Sequence, residues 1–546
     1  MKKYLMFIII LLLPIVLTGC VNNNETEGLV LRVYNWQDYI DEGVDEDGQK
    51  VGTSVMEDWQ EWYYQTYNER VEIVYDTFET CETMMNTLKT GKTTYDLICP
   101  SEYTIQKMIR LDMLDTYDYN LKDKNGNLIM TNYHNVSPYL IDLFDDKGWN
   151  DYAVPYMWGT MGFIYNPEKV SAEDIKHWDI LWNEDYRNMA TAKDSIRDTY
   201  VVGVMHVYYE ELMALREKLL NGQISDHEYS SQIGQIMNRC DDKTLLKVEE
   251  ALKRMKDNVY GFEVDSGKSD IVTGKVSINF AWSGDAVYSL DVAEEENGVY
   301  LNYQVPLEGS NVWFDGWVMP KGANKELAQS FVNYLCSPEV AVRNMNYIGY
   351  TSSIVGDSIL DMIDDWYGST FPEFNEKTNT WWYDEVNLNI SDSSLEVKVI
   401  DNEIYLGNTK VISILSNIKD EEGNPYSDSY LCTSYEVDLT YLFEGSVSEE
   451  YLNEDGKVIV TVEERGRQFD TQYPDFETIE RCGIMEDFGE RNDAVLAMWE
   501  NVKIGDIPIS ITIVLLLVII LLFGAVNVKK IMKEQQRKRR KKQAYA

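Results

Sequence analysis

Leu29-Val-Leu-Arg-Val-Tyr-Asn-Trp-Gln-Asp-Tyr39 begins as a β-type run of branched and apolar residues and ends in an aromatic and acidic turn. Met56 to Tyr67 then reads as an aromatic helix and Val71 to Tyr75 as another strand. Met84 to Leu88 has a helical texture, Tyr95 to Cys99 reads as a short buried strand, and Ile105 to Leu111 as a helix again. Strands alternating with helices at this spacing predict a parallel α/β sheet. A second series runs from Val154 to Tyr165, through a helix around Thr199 to Leu220, to a strand from Val276 to Trp282. Gly316 to Met319 and Lys325 to Cys336 add a further strand and helix. Between about Asp364 and Asp470 the texture changes to alternating runs, among them Leu395 to Ile400, Lys410 to Leu415 and Lys457 to Val462. Turn signals at Asp455-Gly456 and Gly423-Asn424-Pro425 separate them and predict a β-rich insert.

The chain has 546 residues, and at roughly 150 residues per domain that implies more than one folded unit. An apolar content of 44%, with 12% aromatic residues, excludes global disorder. Lys and Arg number 49 against 92 Asp and Glu, a formal net charge of −43, which argues against a nucleic-acid binder because such a surface repels a polyanion.

The charge is uneven: the middle is acidic and both ends are basic. Lys2 and Lys3 precede an apolar run from Leu5 to Leu17 that closes in Leu17-Thr18-Gly19-Cys20, so 1–20 reads as an export signal. The closing four residues resemble a bacterial lipobox, which makes Cys20 the lipidated first residue of the mature chain; an uncleaved signal anchor is the alternative. Ile507 to Val528 is a second uncharged apolar stretch, about 22 residues, which at ~1.5 Å per residue spans the ~30 Å hydrocarbon layer as a single C-terminal transmembrane helix. The basic tail 529–546 that follows is expected in the cytoplasm, touching anionic membrane lipid, with residues 21–506 outside. Beyond Cys20 there are six cysteines, Cys81, Cys99, Cys240, Cys336, Cys432 and Cys482, which permit disulfides without dictating a pairing and equally suit reduced, buried thiols.

His134, His177, His206 and His227 lie far apart, without metal-ligand spacing, and there is no GxSxG, P-loop or GxGxxG fingerprint. No metal or cofactor is expected, and no enzymatic activity, although paired acids of a glycosidase remain open among 92 carboxylates. Aromatic residues do stand beside acids at the ends of expected strands. Trp36-Gln37-Asp38-Tyr39, Trp282-Ser283-Gly284-Asp285 and Trp313-Phe314-Asp315-Gly316-Trp317 are the three instances. An aromatic face attracts a cation and a carboxylate pairs with it, and ligands of open α/β sheets bind outside the carboxyl ends of the strands. A slot of this kind suits a slender organic polycation.

Val33 to Tyr39, Tyr95 to Tyr103, Val154 to Gly159, Trp313 to Asp315 and Ile348 to Thr351 resemble, in the same order, the spermidine/putrescine-binding proteins of bacterial polyamine ABC importers. Tyr473-Pro-Asp475 and Phe488-Gly-Glu490 to Trp499 are similar to that family's C-terminal helix. The resemblance implies a two-lobed, type II periplasmic-binding-protein-like α/β fold. Its expected lobes are 29–154 with 314–363 and 155–313 with 471–503, the β-rich insert occupying 364–470 and the transmembrane helix 507–528. It also implies capture of a polyamine ligand outside the cell and delivery to an ABC permease driven by a cytoplasmic ATPase. A receptor or adhesion protein built on the same lobes, or a membrane-tethered glycosidase, is the alternative.

Carried over by position, the resemblance makes Trp36 and Tyr39 aromatic and hydroxyl contacts, Ser101 and Tyr103 contacts after the third strand, and Trp282 and Trp313 a sandwich around the methylene chain. Asp315 and Asp198 become carboxylates gripping amines, and Tyr350 a further aromatic contact. Ser195 stands where some members have a second acid, a role for which Asp194 is the available substitute. Each assignment has a structural alternative: Trp36 and Tyr39 as caps on a core, Trp282 and Trp313 as buried packing, Asp315 as a solvated acid, Asp198 as an acid paired with Arg197, and Ser101 as an N-cap.

Overall fold

The computed structural model describes residues 28–44, 48–264, 266–420 and 422–504. The expected export signal with Cys20, the apolar stretch 507–528 and the basic tail 529–546 lie outside the described residues. Among the described residues no helix is long and apolar enough to cross a membrane.

Two long strands, Ala153–Tyr165 and Ser310–Pro320, run antiparallel through the centre of the molecule, and all but the last of their residues in the second strand are buried. On one side of this pair lie Leu97–Ile98, Leu29–Trp36 and Val71–Phe78; on the other lie Ile278–Trp282, Ala190–Lys193 and Gly261–Glu263. The first group is a parallel βαβ series. Leu29–Trp36 pairs with Val71–Phe78 in an unbroken register from Leu29↔Val71 to Trp36↔Phe78, and with Leu97–Ile98 on its other edge. In the second group Ala190–Lys193 is parallel to both of its neighbours. The result is a two-lobed α/β protein whose halves are stitched by the two long strands.

Local sequence explains the elements. Helix Val55–Tyr67 starts at a capping box in which Glu57 N donates to Ser54 Oγ at 3.0 Å and Ser54 N to Glu57 Oε2 at 2.9 Å. Its buried residues, Val55, Trp59 and Tyr63, recur every four positions and form one stripe toward the sheet. The single helix expected over 199–220 is two, Ile196–Val207 and Tyr209–Leu220, divided at Tyr208, whose hydroxyl bonds with Thr244.

The stretch expected as one β-rich insert divides by packing. Trp381, Tyr383, Val386, Leu388, Ile404, Leu406, Val411, Leu415 and Cys432 form a small core of their own, whereas Val437, Leu439, Leu442, Phe443 and Val462 belong to the main core that runs through both lobes. Lys410 to Leu415, expected to be extended, contains the short helix Val411–Leu415; a helical turn sends Val411 and Leu415 together into the small core, which alternation would not. All six described cysteines are free thiols, and all but Cys240 are buried.

Candidate ligand-binding site

Asp315 lies in the second long strand, just before the register slips between Asp315 and Gly316. An irregularity of this kind re-aims a side chain. The carboxylate accepts the Tyr39 hydroxyl at 2.7 Å and the Ser101 hydroxyl at 2.7 Å, and Ser101 bridges Asp315 through the backbone as well. Ser101 is also the N-cap residue of helix Glu102–Arg110, but its side chain makes no capping bond because it is spent on Asp315. Asp315 is 5% exposed, and burial pushes its carboxyl up to about 6 against the lowering pull of the two hydroxyls. The buried Trp36 indole N–H has no hydrogen-bond partner of its own and steadies the charged form of Asp315.

Aromatic rings extend from this acid. Tyr350 stands edge-on to both Tyr39 and Trp313, with ring centroids 5.4 Å apart in each case. Trp313 donates its indole N–H to Thr160 O at 3.1 Å. Two glycines make room for these rings: a Cβ at Gly159 would stand 2.8 Å from the Trp313 ring, and one at Gly284 2.1 Å from the Tyr350 ring. The Tyr350 hydroxyl donates to Asp285 Oδ1 at 3.0 Å and so ties the first cluster to the second lobe.

There Asp198 occupies the first turn of helix Ile196–Val207, where anions are favoured, and its own backbone N–H donates to Ser195 Oγ at 3.4 Å. Burial raises the Asp198 carboxyl; Ser195, Lys193, the Trp282 indole and Arg197 oppose that rise. Lys193 Nζ lies 4.3 Å over the Trp282 ring, 3.1 Å from Asp285 Oδ2 and 3.3 Å from Glu263 Oε1. The Arg197 guanidinium stacks 3.9 Å from the Phe488 centroid and 6.0 Å from that of Tyr103, which puts Tyr103 against the second lobe. Asp194 points elsewhere, its two oxygens held by Lys503 Nζ at 2.7 and 2.8 Å, so it does not stand in for an acid at position 195.

Tyr39, Ser101, Trp313, Asp315 and Tyr350 thus form one contact network, Trp282 and Asp198 a second, and Asp285 joins them; Trp36 borders the first and Tyr103 the second. Sequence reasoning quoted Asp285 within an aromatic-acid motif without giving it a role, and passed over Lys193 and Glu102. Glu102 is fully buried, accepts from Asn311 Nδ2 at 3.2 Å and Phe314 N at 3.4 Å, and burial pushes it up to about 8. Asp285 carried the same aromatic-acid signal as Asp315, in Trp282-Ser-Gly-Asp285; Lys193 carried none. Among the described residues no group of three or more His, Cys, Asp or Glu is placed to hold a metal ion.

Residues 59–361 match the family described as bacterial extracellular solute-binding protein. The spermidine/putrescine-binding periplasmic protein of Salmonella typhimurium is 29% identical over 322 residues, which cover 59% of this chain and 76% of that protein. A putrescine-binding periplasmic protein of Escherichia coli is 26% identical over 336 residues, covering 60% of this chain and 78% of its own. The solved spermidine/putrescine ABC transporter substrate-binding protein of Streptococcus pneumoniae is 28% identical, with a TM-score of 0.43 over 60% of this chain and 84% of that one. Since the family match takes in more than half of the 546 residues, the chain belongs to the bacterial extracellular solute-binding proteins.

Proposed function

We propose that this protein captures a polyamine of the putrescine or spermidine type outside the cell and hands it to an ABC permease driven by a cytoplasmic ATPase. The observation that carries the reading is Asp315: a buried carboxylate among aromatic rings, with no Lys or Arg paired to it among the described residues. Unlike Glu102, which burial pushes up to about 8, Asp315 is raised only to about 6 and so is charged at neutral pH, with no paired cation among the described residues and open to one from outside; indole and phenol faces favour an ammonium over a metal ion. The names of the relatives point the same way, since those from Salmonella and Escherichia are described as spermidine/putrescine- and putrescine-binding. Nothing among the described residues favours the receptor, adhesion or glycosidase alternatives.

In this reading Trp36, Tyr39, Ser101, Tyr103, Trp282, Trp313 and Tyr350 wall the ligand, and Asp315 and Asp198 hold its ammonium groups. Residues 29–154 with 314–363 make one lobe and 155–313 with 471–503 the other, and closing them removes water from the amines. Without water the charge-assisted hydrogen bonds strengthen, and reopening at the permease weakens them again. A lipid on Cys20 and a helix at 507–528 would hold the domain at the membrane, which raises its effective concentration near the permease. Calorimetric titration of the full chain with putrescine and spermidine tests the reading. Saturable binding that Asp315→Ala abolishes supports it, and equal affinity in the variant refutes the assignment of Asp315.

A further inference from the structure

The lobe that carries Asp198 brings a cation of its own into the cluster. Lys193 ends the strand Ala190–Lys193 and is 1% exposed. Besides its approach to Trp282, Asp285 and Glu263, its Nζ donates to Val264 O at 3.0 Å. Burial alone would favour loss of the proton from such an amine, but Asp285 and Glu263 outweigh it and raise Lys193 above the ordinary lysine value, so the ammonium is permanent at neutral pH. One face of Trp282 and two buried acids are therefore already engaged by a charge of the protein. Lys268 adds a second cation 3.6 Å from Asp285. Arg197 is also buried, 2% exposed, but makes no ion pair with Asp198 among the described residues: its Nη2 donates to Asn238 at 2.8 Å, and its Nε and Nη1 have no hydrogen-bond partner.

We propose that Lys193 is a specificity-determining residue of the cleft: its fixed ammonium on the Trp282 face repels a third ligand ammonium, so the site takes a diamine in preference to a triamine. This rests on the polyamine reading given above. On that reading Asp315 on one lobe and Asp198 on the other remain to meet ligand charge, and a diamine answers both. A longer chain must place its extra ammonium against a lobe whose other acids are matched by Lys193 and Lys268. Repulsion between like charges is strong where water is excluded, and a built-in repulsive element is how sites reject a near-relative of their ligand.

The test is parallel calorimetry of the full chain with putrescine and with spermidine at one ionic strength, before and after Lys193→Met, which removes the charge and keeps an unbranched side chain one atom shorter. The wild type is expected to favour putrescine by about tenfold or more, and Lys193→Met to raise spermidine affinity relative to putrescine by about tenfold. Because Lys193→Met leaves Asp285 and Glu263 without their buried partner, Lys193→Met combined with Asp285→Asn removes one charge of each sign and is expected to shift the ratio the same way. A wild type that prefers spermidine overturns the proposal without any variant. A ratio that stays fixed in the variants while both amines still bind overturns the role of Lys193 and leaves the polyamine reading standing. A wild type that binds neither amine overturns both.

Discussion

At Asp315 the environment pulls in two directions. Burial raises the carboxyl from 3.8 to about 6, and the Tyr39 and Ser101 hydroxyls keep it from rising further, so the group is ionised at neutral pH yet poorly solvated. A carboxyl with a raised folded value contributes its stability below its ordinary value and loses it as the pH climbs through the folded one. The ligand-free protein thus carries at pH 7 a burden on the order of 2 to 3 kcal/mol that it does not carry at pH 4. Asp315→Asn, which still accepts one hydroxyl, is expected to raise the melting temperature of the ligand-free protein at pH 7 while weakening putrescine binding by about 3–5 kcal/mol, the cost of a buried charge left alone. Calorimetry and thermal melts on one sample read both signs, and a variant that loses stability along with affinity contradicts this account. In the wild type, putrescine affinity is expected to be flat above about pH 6 and to fall roughly tenfold per unit below it. Titrations at four pH values between 5 and 8 check the position of that break. Asp315 and Tyr39 stood out in the sequence as members of aromatic-acid motifs at expected strand ends, whereas Ser101 entered only through the family resemblance; the structure brings the three into contact. Lys193 was not: Ala-Thr-Ala-Lys193 looks like any strand ending in a surface lysine, and its burial depends on Asp285, 92 positions away.

At the scale of elements, the packing of helices against the crossing strands decides where the aromatic rings stand. Gly284 lies in helix Ser283–Asn297, and Gly234 in helix Asp226–Met237. Replacing a glycine inside a helix by alanine ordinarily stabilises it by up to about 1 kcal/mol. At Gly234 a new Cβ meets nothing within 4 Å, so Gly234→Ala is expected to raise the melting temperature slightly. At Gly284 the same Cβ would stand 2.1 Å from the Tyr350 ring, which must leave both Trp313 and Asp285 to make room. Gly284→Ala is therefore expected to lower stability and amine affinity together despite its better helix propensity. Opposite signs for the two substitutions in thermal melts are the check, and a stabilised Gly284→Ala would show that the Tyr350 ring does not need the space left by Gly284. The strand-helix alternation of 29–111 was readable because apolar and aromatic residues there recur at strand or helix spacing, and in helix Val55–Tyr67 the Ser54 and Glu57 box reinforces that pattern. Lys410 to Leu415 was misread because six residues cannot distinguish alternation from one helical turn, and only the small core they face decides it.

For the whole molecule, what matters is that the described chain holds two hydrophobic cores that share no buried residue. One runs through both lobes and includes Val33, Phe163, Phe280 and Phe314; the other gathers Trp381, Tyr383, Ile404, Leu415 and their neighbours. Side chains in separate cores lose contacts separately, so damage to one need not spread to the other. Trp381 is the test position: its ring packs 5.6 Å from that of Phe374 and its indole N–H donates to Asp392 O at 2.8 Å. Trp381→Ala removes about 3–5 kcal/mol from a small core with only nine buried hydrophobic residues among the described ones, enough to leave that unit largely unfolded. Hydrogen exchange is then expected to lose protection across Thr380–Tyr383 and Glu403–Leu406 while Leu29–Trp36 and Ser310–Pro320 keep theirs. Amine affinity should stay within about twofold, because none of the rings or acids around Asp315 touches the small core. Should protection vanish in the crossing strands as well, or affinity drop by tenfold, the two cores are energetically one, and the small unit would have to be counted as part of the machinery that opens and closes the lobes.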